Sequence, residues 1–346
     1  MKIIAYILFT VFCLTIFGCN NKQAVTTDIK NELIAADTMM IDDETLEDYV
    51  YQKPSIALFT LYMIDNPDVA FVPLSDIYSL SEHPDSIAIP NVKEIGFDNA
   101  QYFNLESKYR EMFLSKTGIS ETDSVFVYDY AINSIVSFSI EDLNLVAMIN
   151  FYSVKDDWPF TQYDYMIGFE LDRTKLKGFS DFFRSTLAYV GRENPFALEQ
   201  LTPIVWEKIS ADHYPSKEIE AIYAPYIENS TVGSTYLFET DSLQYFLQDY
   251  MDISYDNQIN YRRLLVVEPK SKDIIIENFF GRGEGTSPSP LNYEYEDGDI
   301  NQWTGKLLKN KPLVVFGFEY ISFGCPYISI INKSNENIYL YCDNRH

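Results

Sequence analysis

Hydrophobic and polar positions alternate with a period of two in several stretches of the chain, as in strands that bury one face. Two largely apolar segments, 55–64 and 68–74, flank the polar turn Asp65-Asn66-Pro67 and predict the first pair of strands. Runs of β-branched and aromatic residues separated by Asn, Asp and Pro then predict an antiparallel meander over 124–130, 135–140, 145–152 and 163–171. The last third predicts further strands at 262–268, 273–278 and 313–322, and a C-terminal hairpin of 327–331 with 338–341.

Between these strands the spacing of apolar residues favours helices. In 99–116 the apolar side chains follow a helical period, and Gly118 stands just past the end of the run. Helical patterns also cover 180–190, 195–201, 216–227 and 241–250. Strands first, helices between them and strands last predict an α+β fold, with antiparallel β-sheet segments and intervening helices.

The amino terminus has the layout of a secretory signal. Lys2 supplies a positive charge, 3–17 is an almost unbroken apolar run, and the small residue Gly18 precedes Cys19. A permanent membrane-spanning helix needs about 20 apolar residues, which is more than this run contains. We therefore expect residues 1–18 to be a removable signal peptide.

The residues Ile16-Phe17-Gly18-Cys19 resemble the lipobox of bacterial lipoproteins, and the Tyr-, Asn- and Asp-rich chain is similar in style to proteins of Bacteroidota. Phe17 departs from the small residue usual at that place. The resemblance ends at Cys19 and implies cleavage before this residue and attachment of lipid, palmitate included, to its sulfur. More than one acyl chain anchors a protein stably. The resemblance thus implies an outer membrane lipoprotein of the cell envelope, facing either the periplasm or the exterior; the alternative is an ordinary secretion signal or membrane anchor with a chance cysteine.

The rest of the chain divides by composition. Residues 19–52 are polar and acidic and predict a flexible tether. Residues 53–230 predict an α+β body, and 231–346 a β-rich C-terminal part, either separate or within the same domain. With 47% hydrophobic and 16% aromatic residues, the chain cannot be disordered as a whole.

The charge balance excludes some partners. The chain carries 26 Lys and Arg against 51 Asp and Glu, a net charge of −25. Affinity for nucleic acid and for anionic lipid surfaces comes from clustered basic side chains. We therefore expect no nucleic-acid partner, and no contact with the membrane beyond the lipid anchor.

The cysteines predict one disulfide. Of the four, Cys13 leaves with the signal and Cys19 is the lipid acceptor, so Cys325 and Cys342 remain. These two flank the C-terminal hairpin and would lie nearly opposite each other. An oxidising compartment permits a bond between them, and the alternative is a pair of free, buried thiols.

No catalytic or metal-binding constellation stands out. The three histidines His83, His213 and His346 are far apart, and no HExxH, CxxC or GxSxG occurs. Asp297-x-Asp299-x-Asn301 resembles the first half of a calcium loop, but Leu308 stands where its bidentate Glu would be, and a solvated acidic turn is favoured. We expect no catalytic residue, no metal and no cofactor.

Aromatic residues are the remaining candidates for ligand contacts. Trp158 with Tyr163 and Tyr165, and Trp303 with Tyr293 and Tyr295, could form walls on which sugar rings stack. The alternative is that these side chains face a core. Separately, Asp37-Thr38-Met39 resembles an acceptor for O-linked glycans in Bacteroidota, which makes Thr38 a candidate for glycosylation.

Two hypotheses on function follow. The first is a non-enzymatic, membrane-anchored lipoprotein that binds an unknown protein or glycan ligand, because no catalytic set is found. The second is a glycan-binding or carbohydrate-active envelope protein, because aromatic and carboxylate side chains are abundant and glycosidases use pairs of carboxylates.

Overall fold

The structure, a computed structural model, describes residues 56–64, 66–78, 88–219, 223–254, 258–292 and 301–344. Residues 53–346 form one compact unit. The predicted signal peptide and the predicted tether lie outside the described residues.

Strands dominate the described part of the chain. In order they are β1 (Leu58–Phe59), β2 (Tyr62–Met63), β3 (Val69–Pro73), β4 (Tyr102–Asn104), β5 (Ser124–Asp129), β6 (Ser134–Ser139), β7 (Leu145–Ile149), β8 (Tyr165–Asp172), β9 (Thr186–Gly191), β10 (Thr202–Pro203), β11 (Glu207–Ile209), β12 (Ser230–Glu239), β13 (Gln244–Asp252), β14 (Ile259–Val267), β15 (Ile274–Gly281), β16 (Thr286–Pro288), β17 (Trp303–Gly305), β18 (Val314–Phe316), β19 (Glu319–Ile321), β20 (Tyr327–Ile330) and β21 (Asn337–Tyr341). The α-helices of this part are short: α1 (Val92–Ile95), α2 (Lys108–Thr117) and α3 (Ala224–Ile227).

These strands pair in four sheets. The central sheet has nine strands in the order β10-β17-β18-β20-β21-β1-β9-β5-β6. The N-terminal sheet has the order β2-β3-β8-β7-β4, and the C-terminal sheet the order β11-β12-β13-β14-β15. A fourth, small sheet pairs β16 with β19. Among the described pairs β1 and β21 run parallel, whereas the others are antiparallel.

The predicted α+β class is wrong, because the fold is all-β. The predicted helix 241–250 is largely strand β13, and the second half of predicted helix 180–190 is strand β9. Both are inner strands with neighbours on each side, and β13 is buried on both faces along most of its length. A strand covered on both faces loses its polar alternation, so its sequence cannot be told from a buried helix by period alone.

The structure also corrects two other sequence predictions. Within predicted helix 99–116, only the second half is α-helical, as α2, while Asn99–Gln101 forms a single 3-10 turn and Tyr102–Asn104 forms strand β4. The predicted meander consists of two hairpins in different sheets, since β5 and β6 belong to the central sheet and β7 and β8 to the N-terminal sheet. The chain passes between the two sheets after the buried residue Ile140.

The central sheet has a hydrophobic core on each face. On one face Phe59 packs in a cluster with Val72 and Phe169 of the N-terminal sheet. Its chain neighbour Leu58 packs on the other face, in a cluster with Leu187 and Leu340. At the β18 end the sheet also packs against the C-terminal sheet, where Val315 shares a cluster with Leu264 and Ile276.

The central sheet curls strongly. Tyr130 directly follows β5 and Trp303 opens β17, and five strands of the sheet lie between those two strands. Their ring centroids are nevertheless 5.3 Å apart. The two ends of the sheet therefore approach each other, and the side chains of its concave face meet at the mouth of the curl.

Candidate functional site

A groove of about 1340 Å³ opens where the ends of the curled sheet meet. Its walls come from segments far apart in the chain: 60–62, 180–187, 315–329 and the described C-terminal end, with Tyr130 and Trp303 between them. Sites for small molecules usually measure about 300–1,000 Å³ and favour such mouths. The volume suits a ligand longer than a single small ring.

Aromatic side chains make up much of the groove wall. Tyr130 contacts both Trp303 and Phe316 edge-on, with centroids 5.3 Å apart in each case. Toward the solvent, Phe182 is 67% exposed and Tyr320 is 45% exposed. The aromatic residues that line the groove are Tyr62, Tyr130, Phe182, Phe183, Phe280, Trp303, Phe316, Phe318, Tyr320 and Tyr327.

Charge is nearly missing from this wall. Among the 32 described residues that line the groove, only Arg184 and Glu319 are charged, whereas 22% of the whole chain is charged. Glu319 accepts hydrogen bonds from the backbone N–H of Gly281 at 3.0 Å and from the hydroxyl of Tyr327 at 3.4 Å. Burial raises the pKa of Tyr327, and the Glu319 carboxylate raises it further. Tyr327 therefore stays a neutral hydrogen-bond donor at physiological pH.

The polar groups of the groove are mostly neutral hydroxyls and amides: Thr60, Ser180, Ser185, Thr186, Ser289, Asn301, Ser322, Ser329 and Asn344. Asn301 accepts a hydrogen bond from the Tyr320 hydroxyl at 3.3 Å and donates one to the carbonyl of Pro290 at 3.3 Å. The hydroxyl of Thr186 is buried and has no hydrogen-bond partner among the described residues. A buried hydroxyl without a partner costs about 1–3 kcal/mol.

Buried hydrogen bonds and a close backbone contact fix the segment that carries Asn301 and Trp303. Gln302, between them, is fully buried and donates to the hydroxyl of Ser289 at 2.8 Å and to the carbonyl of Pro290 at 2.9 Å. Gly317 has a φ of +89°, and a Cβ at this position would collide with the carbonyl of Asn301. A glycine is therefore required for β18 to approach this closely.

A strained turn presents Phe182 at the rim. Phe182 and Phe183 both have a φ of +54°, a conformation that costs a non-glycine residue about 1–3 kcal/mol. The fully buried carboxylate of Asp129 holds the turn, since it accepts from the backbone N–H of Ser180 at 2.7 Å and from the hydroxyl of Ser185 at 2.7 Å. A third bond to the same carboxylate comes from the backbone N–H of Ala131 at 3.0 Å.

The predicted disulfide Cys325–Cys342 is confirmed, with Cα atoms 5.6 Å apart. It joins the two strands of the C-terminal hairpin beside the groove, as β20 and β21 pair antiparallel. The hydroxyl of Tyr62 donates to the carbonyl of Cys342. Asn344 donates to the carbonyl of Gly324 at 3.1 Å, so the described end of the chain forms part of the groove wall.

Of the candidate glycan-stacking residues, Trp303 lines the groove. Trp158 lies elsewhere, half-buried against Phe97 and Phe160 at centroid distances of 5.5 and 5.3 Å. Tyr165 is fully buried, whereas Tyr163 is 57% exposed. These last three residues do not share one exposed wall.

The other candidates lie outside the described residues: Cys19, Thr38, Tyr293 and Tyr295. In the described part of the chain, no group of three His, Cys, Asp or Glu side chains could hold a metal ion. None of the helices described there combines the length and apolar character needed to cross a membrane.

Sequence reasoning missed Tyr130, Phe182, Phe316 and Tyr320 as groove residues. The sequence does contain one relevant pattern, an aromatic residue at every second position in Phe316, Phe318 and Tyr320. It did not identify a wall, because Phe318 is buried against Phe280 at a centroid distance of 4.6 Å while Tyr320 is exposed. The partners across the groove are more than a hundred residues away in sequence.

Comparison of the chain with protein-family models, with curated proteins and with solved structures gives no match.

Proposed function

We propose that the protein is a non-enzymatic lipoprotein of the cell envelope that binds an uncharged, extended ligand in the groove. The observation that carries the proposal is the contrast in charge: two charged residues among the 32 described residues that line the groove, in a chain with a net charge of −25. A ligand charge buried without a partner would cost several kcal/mol. The groove therefore suits a neutral ligand.

The membrane anchor is the second part of the proposal. The signal-like run before Cys19 and the resemblance to a lipobox support attachment of lipid at that residue, with 19–52 as the tether between lipid and body. The acidic chain has little attraction to an anionic membrane surface. The body would then stand off the membrane surface.

The alternative function, a glycan-binding or carbohydrate-active protein, uses the same groove through Trp303. Hydrolysis of a glycosidic bond needs two carboxyl groups about 5–10 Å apart. Glu319 is the one carboxylate among the described groove-lining residues, and both of its oxygens accept hydrogen bonds from the protein. This arrangement favours binding over hydrolysis.

The anchor is tested by intact mass. The full-length protein is expressed in a related bacterium, and wild type and Cys19→Ala are recovered from membrane and soluble fractions. We expect cleaved, acylated wild type in the membrane, and an unprocessed or soluble variant. Unacylated, secreted protein in both cases would refute the anchor.

The groove is tested with a neutral and an anionic dye. The mature chain from residue 19 with Cys19→Ala, which cannot take lipid, is titrated with Nile red and with anilinonaphthalene sulfonate. We expect Nile red to bind more tightly, to protect 180–187 and 315–329 from hydrogen exchange, and to be weakened by Tyr320→Ala. Tyr163→Ala, an equally exposed tyrosine outside the groove, is the matched control. Equal weakening by both variants, or protection elsewhere, would contradict the proposal.

A further inference from the structure

We propose that the ligand of the groove is a neutral oligosaccharide, bound with its sugar rings against the exposed aromatic faces and its hydroxyls against the uncharged polar side chains. This inference rests on the proposed ligand-binding function and names the class of ligand for the same groove.

The first argument is the placement of aromatic rings. Trp303 is half-buried, Tyr320 is more open, and Phe182 is the most exposed of the three. They belong to three different segments, so the groove offers aromatic faces at several points along its length. The C–H face of a pyranose ring is apolar and packs on such faces, while the ring edge keeps its hydroxyls for hydrogen bonds.

The second argument is the polar lining. Serine, threonine and asparagine side chains supply nine of the 32 described lining residues, and among them Ser322 is exposed and Asn301 and Asn344 are half-buried. An acyl chain would displace water from these three side chains without offering them a hydrogen bond, which costs free energy. Sugar hydroxyls both donate and accept, and can therefore hydrogen-bond to the hydroxyl of Ser322 and to the amides of Asn301 and Asn344.

The third argument excludes acidic saccharides. Arg184 is the one cationic residue among the described groove-lining residues, and its guanidinium lies 5.8 Å from the centroid of the Phe182 ring. Recognition of carboxylate or sulfate groups uses arginine forks or clusters of basic residues. With a net charge of −25, the chain repels polyanions. The saccharide is therefore neutral.

The fourth argument concerns length. The volume of about 1340 Å³ exceeds the range usual for single small molecules, about 300–1,000 Å³. A chain of several sugars fills such a groove, whereas a monosaccharide would contact one aromatic face at most. We expect affinity to rise with the number of rings.

The test is calorimetric titration of the mature chain with Cys19→Ala. The probes are neutral oligosaccharides of two to six rings (gluco-, xylo- and manno-oligosaccharides), oligogalacturonate as an acidic saccharide, and a fatty acid. We expect a neutral series to bind with a Kd that falls at least tenfold from two to six rings. Oligogalacturonate and the fatty acid should bind at least tenfold more weakly.

Variants link the binding to the groove. Trp303→Ala and Tyr320→Ala should each raise the Kd at least fivefold, and Tyr163→Ala should leave it unchanged. Trp303→Phe keeps a ring beside Tyr130 and guards against a folding defect; it should bind more weakly than wild type but better than Trp303→Ala.

The outcomes separate the two proposals. If Nile red occupies the groove but no neutral oligosaccharide binds, or if the acidic saccharide or the fatty acid binds best, the saccharide proposal is overturned and the groove remains a ligand site. If no probe protects 180–187 and 315–329 from hydrogen exchange, both proposals fail.

Discussion

Two half-buried tryptophans of this protein, Trp158 and Trp303, lie in aromatic clusters with different surroundings. Trp158 packs with Phe97 and Phe160 beside the fully buried Tyr165, in the core between the N-terminal and central sheets. Trp303 packs with Tyr130 and Phe316 at the mouth of the curled sheet, and its cluster borders a groove. The ring contacts are alike in distance and angle. What differs is that the Trp303 cluster borders the groove and the Trp158 cluster does not, so aromatic content alone does not identify a ligand site.

The largest effect is expected at Asp129, which belongs to the groove side of this comparison. Asp129→Ala removes three hydrogen bonds to a fully buried carboxylate and releases the strained turn of Phe182. We expect a loss of about 3–5 kcal/mol in the free energy of unfolding, measured by urea denaturation. Groove binding should also weaken in the protein that stays folded. A loss below 1 kcal/mol would show that the turn does not depend on this carboxylate.

The second-largest effect on stability is expected for the disulfide. The double variant Cys325→Ser, Cys342→Ser removes a bond between cysteines that are 17 residues apart in sequence. A disulfide of this span contributes about 3 kcal/mol to the free energy of unfolding in the chain-entropy model. Because Cys342 lines the groove, the double variant should bind the neutral probe more weakly at a temperature where it is fully folded. Thermal unfolding with and without a reductant checks the first part, since reductant should change wild type and leave the variant unaltered.

Replacement of the two tryptophans separates core from site. Trp158→Ala should lower the free energy of unfolding by about 2–3 kcal/mol and leave ligand affinity unchanged; the loss is below the value of about 3–5 kcal/mol for a fully buried tryptophan because Trp158 is half-buried. Trp303→Phe should cost about 1 kcal/mol or less and weaken binding. The prediction is wrong if the two substitutions affect binding equally.

Alkaline pH should reduce the stabilising contribution of both clusters by a similar amount. Burial, with a smaller contribution from a nearby aspartate, raises the pKa of Tyr128 to about 12 and that of Tyr165 in the other cluster to about 12; Tyr128 belongs to the hydrophobic cluster of Tyr130 and Trp303. The unfolded chain ionises near pH 10. Each tyrosine therefore stabilises the fold fully below pH 10, and this contribution is lost as pH rises from 10 toward 12.

The measurement compares wild type with Tyr128→Phe and with Tyr165→Phe. From pH 8 to pH 11 the free energy of unfolding of wild type should fall by about 1 kcal/mol relative to that of each phenylalanine variant. Urea denaturation at the two pH values provides the numbers. A difference that stays constant would mean that the hydroxyl in question is not held neutral by burial.

The smallest effect on stability is expected at the rim. Tyr320→Ala should change the free energy of unfolding by less than about 0.5 kcal/mol, since the side chain is nearly half exposed. Its effect on ligand affinity should be the clearest of the rim substitutions. The same stability change with no effect on binding would place the ligand elsewhere.

The C-terminal hairpin and its disulfide followed from local signals. A polar turn cluster between two alternating runs sets the pairing of β20 with β21, and the flanking positions of Cys325 and Cys342 then place the sulfurs together. The hairpin of β14 and β15 around the turn at 269–272 was equally local. The pairing of these strands could be predicted because turn residues and the period-two pattern determine how segments within about twenty residues of each other pair.

The groove could not be predicted in this way. Trp303 was a candidate, but its partners Tyr130, Phe182 and Phe316 come from strands and turns that only the curl of the central sheet brings together. The parallel pairing of β1 with β21 joins the first and last described strands, and it helps to close that curl. No local period encodes such a pairing.

The sequence by itself determined the strand pairs β2–β3, β5–β6, β7–β8, β14–β15 and β20–β21, the disulfide, and the acidic character of the chain. Tertiary structure decided the fold class, since β9 and β13 are strands only because neighbours cover both of their faces and pair with both of their edges. It also decided which aromatic residues became core and which became groove. The physical reason is the same in both cases: burial depends on which distant segment covers a side chain, and that contact is made only when the sheets pack.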